Sequence, residues 1–171
     1  MGYSAKAVAN YFLARYGKEG ITPLKIQKLV YLAHGWNFAF SDELLVDDEY
    51  AEAWQYGPVF PSLYHEFKHL GRKPIIWLAT ELKLESLFDD DSDVAVETPR
   101  ISGSDKPICE LLDKIWEVYG SATGLQLSEV THRPDAPWDI TRKRVGSKRN
   151  ENIDNLVIKE YYRKIVKERN S

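Results

Sequence analysis

Thr22 to Phe40 reads TPLKIQKLVYLAHGWNFAF, a run in which apolar side chains fall on almost every side of a helix. Thr22 is a suitable N-cap, and Pro23 fits the first helical turn, where no N–H is needed. A helix that is apolar all round is either the central helix of its domain, or it packs one side on the core and offers the other to a partner. This choice decides how the rest of the chain is arranged.

Two faces of this helix separate when successive residues are rotated by about 100°. One face is aliphatic and aromatic throughout: Ile26, Leu29, Ala33, Trp36 and Phe40. The other side mixes apolar and polar groups: Leu24, Gln27, Lys28, Tyr31 and Phe38. We predict this second set as the partner-binding surface. In the alternative, the last helix of the chain covers Tyr31 and Phe38, and the long helix is simply central.

Helical periodicity recurs along the chain and predicts a mainly α fold. Helices are expected at residues 4–16, from 22 onward, and at 61–70, 106–119, 121–131 and 154–168. A short hairpin is expected within Glu43–Trp54. The prediction is therefore a single compact domain, residues 1–171, of five to six helices with a small β-hairpin or two-to-three-stranded element. Residues 72–106, where the pattern weakens, are predicted to be variable or partly mobile.

Composition limits the class of protein. Hydrophobic residues make up 43% of the chain, which argues against general disorder. Cys109 has no cysteine to pair with, and neither a signal peptide nor an apolar run of about 20 residues is present, so we expect a cytoplasmic protein without a membrane span.

The net charge is −3, with acidic stretches at 42–52 and 81–93 and a basic region after residue 133. That region suits a nucleic-acid or acidic-partner contact, or a solvated flank; the lack of a nucleic-acid motif favours the flank.

One enzymatic alternative comes from His65-Glu-Phe-Lys-His69, an H-E-x-x-H sequence on a predicted helix. Two His four residues apart share a helix face and could hold zinc while Glu66 acts as general base. Catalytic zinc also needs a third protein ligand, and Ile75 stands where one extended form of the motif has His. A zinc-dependent hydrolase therefore stays an alternative, and two His on a surface helix is the simpler interpretation. We predict no catalytic residue, metal or cofactor.

A third alternative is a DNA-binding repressor. The first two predicted helices and their short connection have the outline of a helix-turn-helix. A recognition helix should present polar and basic side chains to the groove, whereas the second helix offers only Lys25 and Lys28. The pattern does not favour nucleic acid as the main partner.

Two short elements are expected to be structural. Gly57 and Pro58, after Tyr56, set a fixed turn into the third helix. Trp138 is expected to dock a loop on the core, and His132 to hydrogen-bond to nearby backbone.

These elements together resemble a known family. Lys-Leu-Val-Tyr at 28–31, Tyr-Gly-Pro-Val at 56–59 and Thr-His-x(4)-Pro-Trp at 131–138 follow one another in this order. The chain thereby resembles the Panacea domain, also called the SocA-like antitoxin or phage-associated GepA-like family. The resemblance implies a mostly helical domain that neutralises a cognate toxin encoded beside it by direct binding. One branch is similar to a proteolytic adaptor that hands its toxin to a ClpXP-type protease.

The resemblance supplies no catalytic residues. It gives the second helix a physical role, because an apolar and aromatic patch with a charged rim is what a toxin-binding surface needs. We expect the acidic loop Asp42–Glu52 to form that rim and to attract a basic toxin surface.

Overall fold

The computed structural model describes residues 1–83 and 94–171, which contain seven α-helices and two small antiparallel sheets. The helices are Ala5–Tyr16 (α1), Pro23–Ser41 (α2), Pro61–Phe67 (α3), Lys106–Tyr119 (α4), Gly124–Thr131 (α5), Pro137–Val145 (α6) and Asn155–Arg169 (α7). The strands are Glu52–Trp54 (β1), Gly57–Val59 (β2), Glu81–Leu82 (β3) and Val96–Glu97 (β4). β1 pairs with β2, and β3 pairs with β4. The mainly α prediction is confirmed.

The helix α2 is the centre of the domain. The Thr22 hydroxyl accepts a hydrogen bond from the Lys25 N–H at 3.3 Å and caps its first turn. Helices α1, α3, α4, α5 and α7 all pack on it, as does β2. His34, in its middle, ties distant segments together: one ring nitrogen lies 3.1 Å from Asn155 Oδ1, and the other accepts the Val46 N–H at 3.1 Å. Because these elements surround α2, its apolar residues supply much of the core.

The helix that sequence reasoning missed is α6. The helices predicted from the sequence leave residues 132–153 without one, and the segment before α6 is rich in proline. In the structure, Pro137 occupies the first turn of α6, the one helical position where a missing N–H and a fixed φ are favourable. The helix count is therefore seven among the described residues, against the five to six expected.

The hairpin also lies later in the chain than expected. It was predicted within Glu43–Trp54, whereas β1 and β2 place the turn after Trp54. Gly57, at a φ of +107°, supplies a conformation that other residues rarely adopt. The earlier loop pairs with the N-terminus instead: the Tyr3 N–H donates to Leu45 O at 2.7 Å, so that loop is not free to form a hairpin.

The segment 72–106, predicted to be variable or partly mobile, falls within the description only at residues 72–83 and 94–106. Its described ends are attached to α1 through Asn10, whose amide nitrogen donates to Ala79 O and to Pro99 O, both at 2.9 Å. The Asp cluster at 89–93 lies outside the described residues. In the described part of the chain, no helix has the length and hydropathy needed to cross a bilayer.

Candidate partner-binding groove

The helix α7 covers the C-terminal half of α2. Tyr31 is 1% exposed and Phe38 is 7% exposed. The Lys159 ammonium lies 5.2 Å from the centre of the Phe38 ring, and Tyr162 packs so closely on Gly35 that a Cβ there would lie 2.3 Å from its ring. The expectation that Tyr31 and Phe38 form an exposed surface is wrong, because the last helix returns to cover them, as the alternative stated.

Two other residues of the predicted partner-binding set hold the hairpin. The Gln27 amide makes two hydrogen bonds with the Phe60 backbone, accepting from its N–H at 2.8 Å and donating to its C=O at 3.0 Å. The Lys28 ammonium donates to Pro58 O at 2.8 Å. Both side chains are buried, and they bind backbone groups of β2 and of Phe60, the residue that follows it. Gln27 and Lys28 therefore connect the hairpin to α2.

Leu24, the fifth predicted residue, is half-buried and lines an open groove with a volume of about 430 Å³. The groove lies between the N-terminal half of α2, the β1–β2 hairpin and α3. Its lining is mainly apolar and aromatic, with two lysines: Pro23, Leu24, Gln27, Lys28, Trp54, Gln55, Tyr56, Val59, Leu63, Tyr64, Lys68 and Gly71. The structure thus brings Leu24, Gln27 and Lys28 together with Tyr56 of the Tyr-Gly-Pro element.

Aromatic side chains at the edge of this groove are exposed although their backbone is firmly held. Tyr56 is 65% exposed and Tyr64 is 39% exposed. The Trp138 indole N–H donates to Trp54 O at 2.7 Å, and the Ser128 hydroxyl donates to Tyr56 O at 3.2 Å. Because the hairpin is already fixed, these side chains can contact a partner without the cost of ordering the loop.

Sequence reasoning missed Trp54, Tyr64 and Lys68 as groove residues. The available signal was their spacing in the sequence. Trp54 stands two residues before Tyr56, and Tyr64 stands eight residues after Tyr56, within α3. The Trp54 and Tyr64 rings meet edge to face with their centres 4.6 Å apart. A motif expected to be structural therefore also carries exposed aromatic surface on its flanks.

The structural motif behind the hairpin is a compact cluster. The His132 and Trp138 rings stack with their centres 3.9 Å apart. A Cβ on Gly57 would lie 2.9 Å from Lys28 Nζ and 3.0 Å from His132 Nε2, so only glycine fits there. Trp138 was expected to dock a loop on the core; it lies instead in helix α6, and its indole binds the hairpin backbone at Trp54 O. The backbone hydrogen bond expected of His132 is not seen at Nε2, which is buried without a partner among the described residues.

Burial changes the charge of this cluster. It lowers the pKa of the Lys28 amine to about 7, far below its ordinary value of 10.5. Burial, and then the nearby Lys28 charge, lower the pKa of His132. Near neutral pH, Lys28 is therefore only partly charged, and His132 is neutral.

The acidic loop Asp42–Glu52, expected to form a charged rim, does not line this groove. Five of its carboxylates bind donors of the same chain: Asp42, Asp47, Asp48, Glu49 and Glu52. Asp42 pairs with Lys159 and Arg163 of α7, and Glu49 accepts the Ser62 N–H at 3.1 Å. These contacts join the loop to the domain, and of the five carboxylates Asp42 is the one that pairs with cationic side chains of the described residues.

The side chains of the H-E-x-x-H sequence, His65 to His69, are not arranged as a metal site in the described structure. The Glu66 carboxylate pairs with the Lys6 ammonium at 2.9 Å and accepts the Thr80 N–H at 3.2 Å. His69 stacks on Trp77 with ring centres 5.4 Å apart. Across residues 1–83 and 94–171, no group of three His, Cys, Asp or Glu is placed to hold a metal ion.

The helix-turn-helix alternative fails for a different reason. Its recognition helix would be α2, and neighbouring elements bury α2 along most of its length. Lys25 and Lys28, the basic residues it offers, are both buried. A helix in this position cannot enter a DNA groove.

Comparison with known proteins gives the class of the chain. A family described as antitoxin SocA-like, Panacea domain, matches residues 26–139, a range that includes the hairpin, all of the groove lining except Pro23 and Leu24, and the His132–Trp138 pair. The chain belongs to this family of SocA-like antitoxins. It is similar to Antitoxin SocA of Caulobacter vibrioides (strain NA1000 / CB15N), with 32% identity over 145 residues, covering 84% of this chain and 72% of that protein. No solved structure matches the chain.

Proposed function

We propose that this protein neutralises a cognate toxin by direct contact, and that the groove between α2, the hairpin and α3 is the contact surface. The observation that carries the proposal is the exposed aromatic pair, Tyr56 and Tyr64, beside an open apolar groove. Tyr and Trp dominate the energetics of protein interfaces because they combine a large apolar area with a polar end. Membership in an antitoxin family supplies the class of partner.

The groove also has the stiffness that a binding site needs. Gln27, Lys28 and Trp138 all bind backbone atoms of the hairpin, so its conformation is fixed before a partner arrives. Binding then costs mainly the ordering of a few exposed side chains. Masking of this kind needs no bond-making, and the proposal assigns no catalytic residue. The encounter is proposed to take place in the cytoplasm.

The test is co-expression with the product of the neighbouring gene as the toxin. We expect the wild-type chain to restore growth, and the double variant Tyr56→Ala, Tyr64→Ala to lose both rescue and binding in a pull-down of the two purified proteins. Tyr50→Ala is the matched control, because Tyr50 is also an exposed tyrosine, 52% exposed, and does not line the groove. Full rescue by the double variant would contradict the groove as the contact surface.

A proteolytic-adaptor role, with a ClpXP-type protease as second partner, gives a different outcome in the same experiment. Direct masking leaves the amount of toxin unchanged, since the toxin is held in a complex. An adaptor lowers the amount of toxin only where the protease is present. Toxin half-life with and without the protease separates the two mechanisms.

A further inference from the structure

The hairpin tip lies between two pockets. Trp54 and Gln55 line the apolar groove on one side, and they also line a second pocket of about 490 Å³ on the other. Apart from Ala53, the rest of the second pocket is lined by polar and basic residues: Arg142, Ser147, Arg149 and Asn150. A partner that covers the hairpin tip therefore meets an apolar groove and a basic pocket side by side.

The charged side chains that line these two pockets are all basic. Their linings contain four basic side chains, namely Lys28, Lys68, Arg142 and Arg149, and no acidic one. This is the opposite of the chain as a whole, whose net charge is −3. The surface around the hairpin is thus a local positive region on an acidic protein, which is how proteins select partners of opposite charge.

The basic groups differ in how they are held. Arg142 Nη1 donates to Lys148 O at 2.8 Å and to Ala53 O at 3.3 Å, which fixes its guanidinium beside β1. Lys68 and Arg149 are exposed, and neither takes part in an ion pair with the described residues. The Lys68 ammonium lies 6.0 Å from the centre of the Tyr64 ring at the edge of the groove. Lys68 and Arg149 are therefore available to a partner.

We infer that the toxin presents an acidic segment to this surface, with an apolar side chain in the groove and carboxylates that meet Lys68 on one side of the hairpin and Arg149 on the other. The inference rests on the proposed function and names the chemistry of the partner. It reverses the expectation of a basic toxin, because no residue of the acidic loop 42–52 lines either pocket, while Lys68 and Arg149 flank the exposed aromatic residues.

A protein segment fits this surface better than a nucleic acid does. Leu24, Val59 and Leu63 make the groove aliphatic, and aliphatic walls offer nothing to a phosphate backbone. Nucleic-acid binding relies on many phosphate contacts along a continuous basic track, whereas Lys68 and Arg149 are the only exposed basic residues that line these two pockets. Binding of a nucleic acid at this surface would therefore contradict the inference.

The experiment measures the affinity of the purified full chain for its purified toxin, the neighbouring gene product. The charge-reversal variant Lys68→Glu, Arg149→Glu is expected to bind about tenfold more weakly or worse, because two attractive contacts become repulsive. The control is Lys18→Glu, Lys167→Glu, which has the same change of net charge at two exposed lysines that line neither pocket. This control is expected to bind within about twofold of wild type.

A charge swap makes the test decisive. Toxin variants in which single Asp or Glu residues are replaced by Lys are screened against the reversal variant, and one of them is expected to recover binding. The inference is overturned if the reversal variant binds the wild-type toxin as tightly as the wild-type chain does, or more tightly. It is also overturned if a short oligonucleotide, single-stranded or duplex, binds the wild-type chain and competes with the toxin.

The two proposals fail in different ways. If the charge reversal has no effect while the Tyr56→Ala, Tyr64→Ala variant loses binding, the groove remains the contact surface and only the acidic chemistry is wrong. If wild-type protein does not bind the toxin at all, the proposed function itself fails, and the inference fails with it.

Discussion

The two halves of α2 have similar apolar sequence and opposite surroundings. The C-terminal half, with Tyr31, Gly35 and Phe38, is closed by α7. The N-terminal half, with Leu24, is left as one wall of an open groove. The difference does not come from the helix itself. It comes from which later element returns to each half, so the exposure of a helix face depends on distant parts of the chain.

The contacts on the two halves are also of different kinds. On the closed half, aromatic rings pack directly, as with Trp36 and Tyr162, whose centres are 5.0 Å apart. On the open half, Gln27 and Lys28 bind the hairpin backbone through hydrogen bonds. Substitutions in the closed half should therefore change stability, and substitutions in the open half should change binding as well.

The largest expected effect tests the closed half. Tyr31→Asp places a charge in a fully buried site with no opposite charge, and we expect it to cost about 4 kcal/mol or more of unfolding free energy. Tyr31→Phe is the control: the Tyr31 hydroxyl has no hydrogen-bond partner among the described residues, so its removal should be neutral or slightly stabilising. Urea denaturation followed by circular dichroism measures both. An unchanged midpoint for Tyr31→Asp would mean that α7 does not close over α2.

A second prediction tests Lys28, at the boundary between the two halves. Its pKa is about 7 in the folded state and near the ordinary 10.5 in the unfolded chain. Between these values the unfolded state binds more protons, so stability should rise as pH increases from about 7 towards 10, by a few kcal/mol. Burial raises the pKa of Tyr31 and Tyr162, which turns the trend downward at higher pH.

Lys28→Met removes the titrating group and serves as the control for that pH dependence. We expect its urea midpoint to stay nearly level from pH 7 to about pH 9.5, below the range in which tyrosines ionise. The same rise in the variant as in the wild-type chain would show that another group is responsible and that Lys28 is not held in a low-dielectric site.

The sequence predicted local features well and exposure poorly. Thr22 and Pro23 marked the start of α2 because capping is a property of adjacent residues. Tyr31 and Leu24 lie on the same side of α2, so the helix sequence alone does not tell which of them is buried. Tyr31 is buried because α7 packs over that part of α2. Helix α6 was not predicted, because a proline such as Pro137 begins a helix in the first turn and breaks one further along, and the surrounding sequence does not reveal which position it takes.

The candidate site was predicted only in part, because the sequence identifies local motifs and does not show which of them meet in the fold. Leu24, Gln27, Lys28 and Tyr56 were singled out from two separate motifs, and the structure brings them together in one groove. That Gln27 and Lys28 bind backbone of β2 could not be foreseen, because the position of the hairpin was itself predicted wrongly. Trp54 and Lys68 were missed because their importance depends on the shape of the groove.

The smallest expected effect comes from substituting one tryptophan at each half of α2 and comparing the two variants. Trp138→Phe keeps a ring to stack on His132 and loses the hydrogen bond to Trp54 O, which should cost about 1 kcal/mol and loosen the hairpin. Trp36→Phe loses the hydrogen bond to the Tyr119 hydroxyl, 3.2 Å long, at the closed half, for a similar cost. If the open half is the contact surface, only Trp138→Phe should weaken toxin binding, because only there does the lost hydrogen bond hold exposed aromatic residues in place. Equal losses of affinity for both variants, measured by calorimetry beside their urea midpoints, would mean that binding follows global stability, and the functional distinction between the two halves would not hold.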